Sequence, residues 1–132
     1  MGKSARFGNR VPGSTIPPEE KCPLTAALGA IGGKWSLIAL YWLCDGTRRF
    51  NELRRLMPDI SHKMLASTLR GLENDGLICR TVYPEVPPRV EYAISGHGQT
   101  LQGVIEAVRA WGHVHLAFVA GRDAESSIEQ DF

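Results

Sequence analysis

Residues 84–88 hold three prolines, Pro84, Pro87 and Pro88, within five positions. Proline lacks an amide proton and has a fixed φ, so this stretch can enter neither a helix interior nor the middle of a sheet. The segments on either side have strand character. Residues 77–83 and 89–94 read as strands, and Val90, Tyr92 and Ile94 alternate with Arg89, Glu91 and Ala93, the period of a half-buried strand. Residues 77–94 are therefore expected to form a hairpin with a stiff, projecting tip, and the rest of the chain must be placed around it.

The segment before the hairpin reads as helix, turn, helix. Asn51 to Met57 fits one compact helix, with Phe50, Leu53 and Met57 inward and Arg54 and Arg55 pointing elsewhere. Pro58-Asp59 breaks it. Ser61 is an N-cap, because its hydroxyl can accept an orphan amide proton of the next helix, about His62 to Asn74. Leu65, Leu69 and Leu72 form the inner stripe of that helix, and Gly76 can take the left-handed position that closes it.

Upstream, residues 24–31 predict a short helix stopped by Gly32-Gly33, and Lys34 to Cys44 a second. In the second, Trp35, Ile38, Ala39 and Trp42 recur at helical spacing, widened by Leu40 and Leu43, so it belongs in the core. Asp45-Gly46 ends it, and Thr47 to Phe50 is a candidate short strand. Downstream, Ser95 caps an expected long helix, about Gly98 to Val119. Leu101, Val108 and His115 lie seven apart, as do Val104, Trp111 and Phe118, three residues further on. That is an a/d seam suited to a partner helix, with packing on the same domain as the alternative.

The fold class expected is α+β, mainly α: a winged helix-turn-helix domain with a two-stranded wing and a C-terminal dimerisation helix. Residues 1–20, rich in Gly and Pro, are expected to be a flexible N-terminal arm whose Lys3, Arg6 and Arg10 could touch phosphate. Residues 21–119 are the winged helix-turn-helix domain with its terminal dimerisation helix, and residues 120–132 a loose, polar, acidic tail.

The net charge of +1 conceals an asymmetry. Residues 1–89 carry 13 Lys and Arg against 8 Asp and Glu, +5, whereas residues 90–132 carry 2 against 6, −4. A polyanion would meet the first part and avoid the last. A helix fits the major groove of DNA, and the Ser61 helix shows short hydroxyls and cations outward: His62, Lys63, Ser67 and Arg70. Ser61 and the first-turn amides could meet a phosphate. Arg48 and Arg49, with Arg54 and Arg55, add to the basic surface. Arg80 and Arg89 flank the hairpin loop. Arg89, facing away from Val90, is expected to reach phosphate or a minor groove, or else to pair with Glu85 or Glu91.

Small motifs in order then identify a resemblance: Cys22-Pro23, Ile31-Gly32-Gly33-Lys34-Trp35, Arg49-Phe50-Asn51-Glu52-Leu53, Ile60-Ser61-His62-Lys63-Met64-Leu65, Leu72-Glu73-Asn74-Asp75-Gly76-Leu77-Ile78, and the hairpin from Arg80 to Tyr92. Over roughly residues 20–115 the chain resembles the HxlR family of winged-helix regulators, relatives of the MarR-type repressors. The resemblance implies dimers joined through the terminal helices, DNA binding by the Ser61-to-Asn74 helix, a wing at residues 80–90, and signals that act through dimer geometry. Gly71 departs from it, standing where the family usually has a better helix former. So do His113 and His115 near the seam.

In several members of that family a cysteine at the position of Cys22 senses oxidants or quinones. Cys22 precedes a helix and follows Lys21, a setting that favours thiolate. A partly buried structural thiol is the alternative, and a small-molecule effector remains open beside the oxidant. Cys44 and Cys79 are expected in the core. The odd cysteine count without Cys-x-x-Cys suggests neither a disulfide framework nor zinc, and His113-x-His115 diverge by about 200° on a helix. No metal and no cofactor are expected. Without a Gly-rich phosphate loop, a nucleophile elbow or a carboxylate pair, the chain is not expected to be an enzyme. The expected protein is a cytoplasmic homodimer on a pseudo-palindromic double-stranded DNA operator, with no membrane partner. The alternative is a winged-helix module that binds protein.

Overall fold

The computed structural model describes residues 22–130, so the arm with Lys3, Arg6 and Arg10 lies outside the described residues. In chain order the elements are α1 (Pro23–Ile31), α2 (Ser36–Cys44), β1 (Arg48–Arg49), α3 (Phe50–Leu56), α4 (His62–Asn74), β2 (Ile78–Tyr83), β3 (Arg89–Ile94), α5 (Gly96–Gln99) and α6 (Gln102–Gln130).

The core forms where the apolar stripe of α4 meets α2. Leu65, Leu69 and Leu72 pack with Ala39, Leu40 and Leu43, and Leu53 and Met57 of the α3 region close one side. Full burial of each leucine is worth about 1.5–3 kcal/mol, so the two helices hold each other in place. The inward face of α2 is rotated from the expected one. Trp35 and Trp42 are only half-buried and Ile38 is exposed, because Ile38 and Tyr41 turn toward α6, where they line a shallow apolar groove.

Both ends of α4 obey local chemistry. Ser61 Oγ accepts the Met64 amide at 3.0 Å. At the other end Gly76 adopts φ +76°. The Leu77 amide donates to Leu72 O at 2.9 Å and the Gly76 amide to Glu73 O at 3.0 Å. These two bonds satisfy carbonyls the helix leaves open, and only glycine takes that φ without strain.

The sheet has three antiparallel strands in the order β1-β3-β2. Arg80 pairs with Tyr92, and Tyr83 with Arg89, the last rung before the proline loop. On the other edge Arg48 pairs with Tyr92 and Arg49 with Glu91. β3 is thus the central strand, and each of its residues is half-buried.

Ser95 joins hairpin to helix, though not as expected. Its Oγ accepts the Gly98 amide at 2.9 Å and donates to Gly76 O at 2.6 Å. It therefore caps the one-turn α5, and the long helix starts separately at Gln102. Gly96 and Gly98 weaken continuous helix here. The Thr100 hydroxyl also donates to the His97 carbonyl. α6 then runs for 29 residues, about 43 Å, anchored by Ile105 in the core. Its backbone stays helical to Gln130, past the expected end at 119, because Ala120, Arg122, Ala124 and Glu125 are all good helix formers. No single helix among the described residues is long and apolar enough to cross a membrane.

Candidate nucleic-acid interface

At about 100° per residue, Lys63, Ser67 and Arg70 fall within one narrow stripe of α4, on the side opposite Leu65, Leu69 and Leu72. All three are exposed. The leucines press α4 onto α2, so the polar stripe must face outward. His62 is exposed but stands apart from it, its ring tilted against Phe50 with centroids 4.6 Å apart. The Ser61 hydroxyl is engaged by the Met64 amide. Gly71 lies beside the stripe, and a Cβ there would meet nothing within 4 Å.

α3 precedes this helix and adds cations. Arg54 and Arg55, with Asn51, Pro58 and Ile60, line a polar cleft of about 330 Å³ beside the start of α4. Arg49 is exposed at the N-cap of α3, where its amide donates to Glu52 Oε1 at 2.7 Å. An arginine side chain offers no acceptor, so Glu52 supplies that helix start alone. Arg80 is exposed on β2.

Two arginines of the expected set are held within the fold. Arg48 Nε donates to Trp42 O at 3.1 Å and Arg48 Nη2 lies 3.7 Å from Asp45 Oδ2. It closes the C-terminal end of α2, where carbonyls lack helical partners. Arg89 takes the ion-pair alternative. Its Nη2 lies 3.1 Å from Glu85 Oε2, its Nη1 3.1 Å from Glu91 Oε2, and its guanidinium sits 4.0 Å from the centroid of the Tyr83 ring. Sequence spacing pointed to Glu85 and Glu91, whereas Tyr83 was missed; its cross-strand register with Arg89 is the signal that could have found it.

The expected seam divides at the start of α6. Leu101 is half-buried against the protein's own core. Val104, Val108, Trp111, His115 and Phe118 are exposed, Trp111 at 62% and Phe118 at 60%. The rings of Trp111 and His115 stack at 5.0 Å. Val114 and Leu116, outside the heptad, are exposed as well.

The cysteines correct one expectation. Cys44 and Cys79 are exposed rather than buried. Cys44 ends α2 one residue beyond buried Leu43, and Cys79 alternates outward from buried Ile78. Partial burial, then Asp45, then Glu106 raise the Cys44 thiol above its ordinary 9.0, which disfavours thiolate. Cys22 is half-buried at the N-cap of α1, with Pro23 in the first turn.

Known proteins share this arrangement. The family profile described as HxlR-like helix-turn-helix matches residues 30–118. YdeP of Bacillus subtilis, described as an uncharacterized HTH-type transcriptional regulator, is 47% identical over 113 residues, 83% of this chain and 88% of its own. A solved structure of the HTH-type regulator YtcD is 46% identical and superposes with a TM-score of 0.70, covering 74% of this chain and 99% of that one. The redox regulator HypR in its oxidized form is 45% identical, with a TM-score of 0.68, covering 70% of this chain and 96% of that one.

Proposed function

The chain belongs to the HxlR-like helix-turn-helix family, and from that premise we propose that it is a dimeric transcriptional regulator whose α4 reads a major groove. The observation that carries this is the stripe of Lys63, Ser67 and Arg70, set opposite the leucines that fix the helix. Lysine and arginine can neutralise phosphate or meet guanine, and serine can meet either. Ser61 and His62 stand at the end of the helix that enters the groove. Arg49 and Arg80, with Arg54 and Arg55, supply phosphate contacts around it. Arg48 and Arg89 support the surface from within the fold.

Val104, Val108, Trp111, His115 and Phe118 on α6 join a second copy, with Leu101 tying that seam to the core. An exposed indole and phenyl on one long helix are what a partner helix would cover. The pair then sets two α4 helices on half-sites about one helical turn apart in a pseudo-palindromic operator, in the cytoplasm. An effector that changes their spacing changes the affinity.

For the effector, Cys22 is the thiol we favour. Cys22 stands at the N-cap of α1, the kind of position where reactive thiols are found, and similarity to a protein described as a redox regulator supports an oxidant over a small ligand. The test is fluorescence anisotropy with DNA from upstream of the protein's own gene, before and after diamide or a quinone. Binding that is lost on oxidation in the native protein and retained in Cys22→Ser supports the full proposal. Binding indifferent to oxidant removes Cys22 from it. Absence of binding to any duplex at low salt overturns the regulator assignment.

A further inference from the structure

The tip of the hairpin has its own fastening. Tyr83 and Arg89 form the last rung before the loop. The Arg89 guanidinium bridges Glu85, inside the loop, and Glu91, two residues along β3, at 3.1 Å each. It also lies against the Tyr83 ring at 4.0 Å. Its Nε is buried without a hydrogen-bond partner, so the guanidinium is turned into the hairpin rather than toward solvent. Nearby Val86 is fully exposed, so little else packs the tip.

We propose that Arg89 is a positioning residue for DNA binding: it fixes the hairpin tip by bridging Glu85 and Glu91 over Tyr83, and it does not itself touch phosphate. The proposal rests on the DNA-binding assignment above. A planar, forked guanidinium can bond two carboxylates and still stack on a ring, whereas a lysine ammonium can do only part of this. Isolated surface ion pairs add little to global stability. The consequence of losing this bridge is therefore local, a loosened tip that binds DNA less well.

Two charge-conserving variants separate positioning from contact. Arg89→Lys keeps the cation but loses the fork, and Tyr83→Leu keeps every charge but removes the ring. Binding of the full chain to a labelled mixed-sequence duplex is measured at low salt, and amide exchange of the Tyr83–Arg89 rung is followed in the free protein. The proposal predicts that both variants weaken binding about fivefold, the effect of roughly 1 kcal/mol, and that exchange at the rung accelerates in both. If Arg89 instead contacts phosphate, Arg89→Lys and Tyr83→Leu both bind as the native protein does. That result overturns the proposal and leaves the DNA-binding assignment intact. If the native protein does not bind the duplex, the assignment itself fails.

Discussion

Gly98→Ala tests the junction that joins the hairpin to the long helix. Gly98 is buried, and a Cβ there would collide with the Leu77 carbonyl and lie 2.7 Å from Ile94 Cγ1. The carbonyl is backbone, and it already accepts the Ser95 amide at 3.0 Å. Relief must come from moving α5 off the hairpin, which also disturbs the Ser95 bonds to Gly76 and Gly98. Overpacking of this kind costs about 1–3 kcal/mol, and a backbone obstacle places it at the upper end. Alanine returns up to about 1 kcal/mol through its better helix propensity. The net expectation is a loss of about 2 kcal/mol, or about 8 °C in Tm for a chain of this size. Thermal unfolding followed by circular dichroism, at one protein concentration because any self-association would shift Tm, measures it. A Gly98→Ala protein that melts with or above the native one would refute the close approach of α5 to Leu77.

Gly71→Ala should act in the opposite direction, raising stability by up to about 1 kcal/mol in the same melting experiment, because a methyl there meets only open space. Trp111→Asp should yield monomers in analytical ultracentrifugation, and a persistent dimer would place the seam elsewhere. The Cys44 thiol should alkylate with iodoacetamide at pH 8 more slowly in the folded protein than in the unfolded chain, and Glu106→Gln should shorten the difference. Because its folded value is raised, the unfolded chain ionises first. Its contribution to stability is thus complete below 9.0 and is lost as pH climbs above it, which urea titrations at rising pH would detect.

What the sequence made legible was local. Ser61, the leucines of α4, Gly76 and the three prolines each act within a few residues of themselves, and each sits where its chemistry requires. The outward stripe of α4 followed from the leucines by helical geometry alone. What escaped depended on distant partners. Arg48 looks like any surface cation until α2 ends beside it. Arg89 looks free until the rung with Tyr83 brings the ring beneath it. Heptad counting picked the exposed side of α6 but missed Ile105, whose burial is set by the α2 surface that receives it. The break after α5 was hidden because Gly98 satisfies a packing demand made by Leu77, 21 positions earlier in the sequence.

The most direct test of the central claim is the salt dependence of DNA affinity for the native protein and for Lys63→Ala/Arg70→Ala. Each phosphate contact contributes about 0.9 to the slope of log K against log salt. The native protein should bind with a steep linear dependence, and the double variant should bind more weakly, with a slope reduced by up to about 2 to the extent that both side chains meet phosphate, while keeping the native oligomeric state and stability. A double variant with native affinity and native slope would contradict the placement of α4 on DNA.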